Sequence, residues 1–145
     1  MSQNNPVLTE EQALRIHPVT LAFLGDAVYS LYVRERLVRA GEGKPSAMQK
    51  AASFIVSATG QSAFLSVIEE KLTEREAEIF RRGRNAKKAT KSKHASVADY
   101  NRSTGFEAVL GYLHLTGQTQ RILELLSMQG GEIYKIEKDA EVFKP

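Results

Sequence analysis

The chain has no cysteine, which excludes disulfides and thiolate-bound metal. Histidine is scarce: there are three, well separated at positions 17, 94 and 114, which argues against a zinc site. Any bound metal is therefore expected to be a hard cation held by carboxylate oxygens. No uncharged apolar run approaches the ~20 residues of a membrane span. Met1 to Pro6 lack the charged-then-apolar pattern of a signal peptide. These absences predict a cytoplasmic protein with no membrane partner. No His-Asp pair and no recognisable Ser-His-acid arrangement is present. That argues against a histidine–aspartate phosphohydrolase and against a protein nucleophile.

What is present fits one domain. At 145 residues, 42% of them hydrophobic, the chain is long enough for a single core and short for two. No segment alternates like a strand, and glycine and proline fall mostly at boundaries, so the expected fold is all-α. The pattern predicts long helices from Pro18 to about Ala40 and from about Val97 to Thr116. Shorter ones are expected from a Ser46 cap up to a break at Gly60, over Gln61 to Lys71, from a Thr73 cap to about Arg82, and from Gln118 to Met128. The divisions are an N-terminal extension (1–15), a catalytic domain (16–131) and a C-terminal appendage (132–145) in which Glu132 to Ile136 reads as a short strand.

The net charge of +3 is unevenly spread. Arg81, Arg82, Arg84, Lys87, Lys88, Lys91 and Lys93 lie together with no acid among them, so the remainder of the chain sums to −4. From Gly83 to about Ser96 the sequence reads as an exposed loop. Such a run is either a solvated surface or a contact for a polyanion. It holds no aromatic residue, which suits phosphate contact better than base stacking.

Two acids stand out against apolar helices. From Pro18 to Val33, sixteen residues, Asp26 is the only charged side chain. Leu21, Leu24, Val28 and Leu31 form one apolar stripe and Phe23, Tyr29 and Val33 widen it, so this helix is expected to be buried on most sides, as core or as interface. An ionised carboxylate there is costly unless a cation or metal sits beside it. From Ser103 to Thr116 Glu107 is the only fully charged residue, sharing a face with Tyr100, Ser103, Thr104 and Gly111. Gly25 and Gly105 would let the two helices approach closely. Either acid alone could be a satisfied core acid. Two of them, beside an acid-free basic run, favour a metal site.

Leu21-Ala22-Phe23-Leu24-Gly25-Asp26-Ala27-Val28 resembles the signature helix of the ribonuclease III superfamily. Gly105-Phe106-Glu107-Ala108-Val109-Leu110-Gly111-Tyr112-Leu113 resembles its second acidic helix. The segment from Arg82 to Lys87, the stretch from Tyr100 to Ala108, and the lack of room after Gly131 for a double-stranded-RNA-binding domain are similar to the short branch, Mini-ribonuclease III. The departures are specific: Val19, Ala22 and Thr104 stand at positions that are usually acidic, and Gln61 lies near the expected place of a further acid.

The resemblance implies a ribonuclease III-like helical bundle and hydrolysis of double-stranded RNA, leaving a 5′-phosphate and a 3′-hydroxyl. Asp26 and Glu107 would be catalytic and hold Mg2+, for which Mn2+ can substitute. Arg82, Arg84, Asn85, Lys87, Lys88 and Lys91 would contact RNA. Tyr100, Ser103 and Thr104 either orient water or phosphate or are helix-surface polar residues. The substrate implied is a stem of the precursor of large-subunit (23S) ribosomal RNA, cut by a homodimer, with a large-subunit ribosomal protein as a further partner. The alternative is an inactive RNA-binding relative, which the departures at 19, 22 and 104 would suit.

Overall fold

The computed structural model describes residues 6–41, 43–88 and 96–129, and the expected strand at 132–136 lies outside them, as does Lys91. Among the described residues the chain is all-α, with seven α-helices, one short 3-10 turn and no strand. The first helix, α1 (Glu10–Leu14), falls in the stretch expected to be an extension. A reciprocal cap makes it: Gln12 N–H donates to Thr9 Oγ1 (3.1 Å) and Thr9 N–H to Gln12 Oε1 (2.9 Å). Helix α2 (Pro18–Ala40) follows the predicted bounds, opened by Pro18 and by His17 Nδ1, which accepts from Val19 N–H at 3.1 Å.

Two boundaries move. Helix α3 (Pro45–Val56) begins before the expected Ser46 cap, because Pro45 has the fixed φ that suits a first turn. The next helix, α4 (Ala58–Ile68), begins before Gly60, since Ser57 accepts from Gly60 N–H and caps it. A 3-10 turn over Glu69–Lys71 leads to α5 (Glu74–Asn85), opened by the expected Thr73–Glu76 capping box. Arg84 and Asn85 are thus in the last turn of a helix, not in a loop. Helices α6 (Val97–Leu115) and α7 (Thr119–Ser127) complete the bundle.

Helix α6 is the axis of the fold and touches α1, α2, α4, α5 and α7. From Ser103 through Leu113 every residue on it is buried except Glu107. Tyr29 of α2 and Phe64 of α4 each pack edge to face against its Phe106, with ring centroids 5.9 Å (Tyr29–Phe106) and 5.4 Å (Phe64–Phe106) apart.

Helix α2 departs from expectation. Its buried side is Leu21, Ala22, Gly25, Tyr29, Val33 and Leu37. The opposite side is bare: Phe23 is 83%, Leu31 68% and Val38 65% exposed, and Ala27 is exposed with them. An apolar helix is not buried all round here because a single chain supplies neighbours for one side only.

Glycine sets how closely the central helices meet. A Cβ on Gly25 would lie 1.7 Å from the carbonyl oxygen of Glu107, and one on Gly111 would lie 2.0 Å from that of Leu21. The backbones of α2 and α6 are therefore in direct contact. Gly105, expected at this crossing, instead meets Gly83 and Phe80 of α5. On the far side Arg121 of α7 clamps the buried Glu76 of α5 through two hydrogen bonds, 2.9 and 2.8 Å, and also donates to Lys71 O.

Gly25→Ala should cost about 3 kcal/mol or more, the upper range for overpacking a core, because the three nearest atoms facing the new methyl are all rigid backbone. Urea denaturation measures this, and a loss under ~1 kcal/mol would contradict backbone contact at the crossing.

Candidate active site

Asp26 and Glu107 come together at the α2–α6 crossing. Gly25 precedes Asp26 in α2 and lies on the backbone of Glu107, so the two carboxylates flank one contact. Asp26 is exposed, at the border between the buried and bare sides of α2, which corrects its expected burial. Glu107 is half-buried. Burial pushes its carboxyl well above the ordinary glutamate range, and the nearby Asp26 charge and a hydrogen bond with Asp26 push the same way. No described lysine or arginine forms a salt bridge with either acid.

The surrounding polar groups divide by their commitments. The amide of Gln61, fully buried, donates to Val56 O at 2.8 Å and lies 3.5 Å from Glu107 Oε2. Gln61, near the expected place of a further acid, is thus in the site as an amide. Ser103 Oγ and Thr104 Oγ1 both donate to Tyr100 O, at 2.8 and 3.0 Å, and both are buried. Neither is a helix-surface residue. Their hydroxyl hydrogens satisfy the helix itself. No described group of three or more acidic, histidine or cysteine residues is arranged to hold a metal. A cation here would have two carboxylates and complete its shell with water, a donor set that fits Mg2+.

The basic segment is also divided. Arg84, Asn85 and Lys87 are exposed at the end of α5, with Arg84 Nε donating to Asn85 Oδ1 at 3.2 Å. Lys88 turns back onto that helix end and donates to the carbonyls of Gly83, Arg84 and Ala86 at 2.9, 3.1 and 2.7 Å. Partial burial lowers its pKa from the usual lysine value. Arg82 is half-buried and reaches Leu14 O at 3.4 Å, at the end of α1. Capping work of this kind has no signature in a run of like charges.

A model of the ribonuclease III domain matches residues 19–118, which contain both carboxylates. The Mini-ribonuclease 3 of Streptococcus pneumoniae is 46% identical over 77% of this chain and 89% of its own. That of Symbiobacterium thermophilum is 47% identical over 78% and 87%. The chain belongs to the Mini-ribonuclease 3 branch of the ribonuclease III family. A crystal structure of a Fusobacterium nucleatum protein shares the fold with a TM-score of 0.70 and 29% identity, over 77% of this chain and 90% of that one.

The chain is therefore an endoribonuclease, and its paired acids carry a stability cost. Glu107 has a raised pKa in the folded state, so between its unfolded and folded values the native protein holds more protons than the unfolded chain. Stability then falls as pH rises through that window. Without divalent ions at neutral pH, Glu107→Gln should raise Tm by on the order of 4 °C, a gain that disappears at acid pH where the wild-type carboxyl is protonated. A variant no more stable than wild type at neutral pH would show that the two acids do not repel.

Proposed function

We propose that this endoribonuclease hydrolyses double-stranded RNA with Mg2+ held by Asp26 and Glu107. The observation that carries the reading is the α2–α6 crossing: backbone contact at Gly25 sets two carboxylates side by side, and no described lysine or arginine forms a salt bridge with them. When bound, the ion lowers the pKa of nearby water and offsets charge developing on the phosphate. The chain's own part is to hold the two carboxylates rigidly at one place on its surface. Buried packing fixes α6 on either side of Glu107, so the carboxylate is presented without rearrangement. Exposed Arg84, Asn85 and Lys87, together with Lys91, contact phosphates, while Arg82 and Lys88 support them by closing the ends of α1 and α5. A-form RNA is read by shape and phosphate position, which such contacts suit.

The reading extends to a homodimer. Phe23, Ala27, Leu31 and Val38 make an exposed apolar stripe beside Asp26, the kind of surface that marks an association face. A second copy docked there would bring a second pair of acids to the same side of the assembly, as cutting both strands of a duplex requires. By resemblance the substrate is a stem of the precursor of 23S ribosomal RNA in the cytoplasm, presented with a large-subunit ribosomal protein. Among the described residues no single helix is long and apolar enough to cross a membrane.

Incubation of a structured RNA duplex with wild type, Asp26→Asn and Glu107→Gln in Mg2+ tests the central claim. Cleavage by wild type alone is expected, with each variant slower by on the order of a thousandfold and still binding RNA. Equal inactivity of all three would instead indicate an RNA-binding protein that does not cut. The dimer has its own test in sedimentation: Phe23→Glu with Leu31→Glu should convert a dimer to a folded monomer with reduced duplex cleavage. An unchanged sedimentation coefficient would place the association face elsewhere.

A further inference from the structure

The elbow between α3 and α4 brings an uncharged residue into the acidic site. The two helices are bent by 52° with only Ser57 between them. Ser57 Oγ donates to Phe54 O (2.6 Å) and accepts from Gly60 N–H (3.0 Å). Gly60 sits so close to the end of α3 that a Cβ there would lie 2.0 Å from Phe54 O. The next residue, Gln61, is thereby placed under the last carbonyl of α3. Val56 O can only accept, so the amide must turn its NH2 toward it, and the 2.8 Å contact defines the orientation of the side chain. The second hydrogen of that NH2 is available to Glu107 Oε2, 3.5 Å from Nε2.

The other end of the amide is left over. Gln61 Oε1 is the only buried side-chain oxygen or nitrogen among the described residues with no hydrogen-bond partner. An unsatisfied buried carbonyl costs about 1–3 kcal/mol. An apolar side chain of similar volume would avoid that cost, so packing does not account for an amide here. What the amide adds is a donor shared between the end of α3 and the carboxylate of Glu107.

We propose that Gln61 is a positioning residue for Glu107, tying its carboxylate to the α3–α4 elbow and so setting its separation from Asp26. This rests on the reading that Asp26 and Glu107 hold a divalent cation. A residue that orients a metal ligand acts through that ligand, and loss of such partners typically lowers metal affinity or activity by roughly 10–100-fold.

Mn2+ binding to the whole protein without RNA, followed by the paramagnetic signal of free Mn2+, tests the proposal. Gln61→Met should bind Mn2+ about tenfold more weakly than wild type. In duplex cleavage it should lower kcat with little change in KM for RNA. Gln61→Glu, close to isosteric, sets a third carboxylate beside Glu107 and should bind Mn2+ more tightly. A residue that merely caps α3 would shift the stability of both variants and the Mn2+ affinity of neither, and that result would overturn the proposal. If Gln61→Met does not fold, unchanged affinity in Gln61→Glu has the same force. Asp26→Asn separates the two levels: wild-type Mn2+ affinity in that variant would refute the carboxylate site itself, whereas weakened binding there with normal binding in the Gln61 variants would refute only the role of Gln61.

Discussion

Contact between the backbones of α2 and α6 is the constraint from which the rest of the structure follows. Gly25 lies against the carbonyl of Glu107 and Gly111 against that of Leu21, spacings no side chain would permit. Two helices held this closely bury α6 from Ser103 through Leu113 apart from Glu107, and the aromatic trio of Tyr29, Phe64 and Phe106 fills the space where α4 joins them. The same contact determines where acids can meet. A residue following Gly25 in α2 and a residue whose carbonyl faces Gly25 in α6 are brought together by the crossing itself. The geometry of the proposed site and that of the fold are here one feature, so the site cannot loosen without loss of the core.

That economy explains which parts were legible in the sequence. The bounds of α2 and α6 followed from glycine, proline and apolar runs, and the two isolated acids were visible as exceptions to those runs. Local chemistry also marked the Thr73–Glu76 cap. The bare side of α2 was not legible, because an apolar stripe looks the same whether it meets its own chain or another surface. Nor was the partner of each glycine: Gly105 pairs with α5 rather than α2, a choice made by topology and not by spacing along the helix. The short helix α1 did carry a signal, the Thr9–Gln12 capping spacing, masked by its position in a polar leader.

The basic segment shows a similar limit. Seven cations without an acid read as one uniform patch. In the fold Lys88 closes the last turn of α5 with three carbonyl contacts, and Arg82 reaches across to the end of α1. Long basic side chains cap helix ends as readily as they meet phosphate, since both present oxygen atoms with partial or full negative charge. Which they do depends on the distance to the nearest helix end, a property of three-dimensional structure.

Glu76 and Glu107 make the clearest internal comparison, because they are the same residue type in the same bundle. Burial raises the pKa of both. At Glu76 it is outweighed by the Arg121 guanidinium and the Thr73 amide, so the net shift is downward and the charge serves to join α5 to α7. At Glu107 the Gln61 amide pulls weakly downward and Asp26 adds to the upward push. A structural acid is supplied with its counter-charge by the chain. Among the described residues Glu107 is given none, although Arg121 shows that the chain can deliver an arginine to a buried glutamate. Among the described residues no lysine or arginine forms a salt bridge with the Asp26–Glu107 pair, an unneutralised arrangement that supports the proposed divalent-cation site.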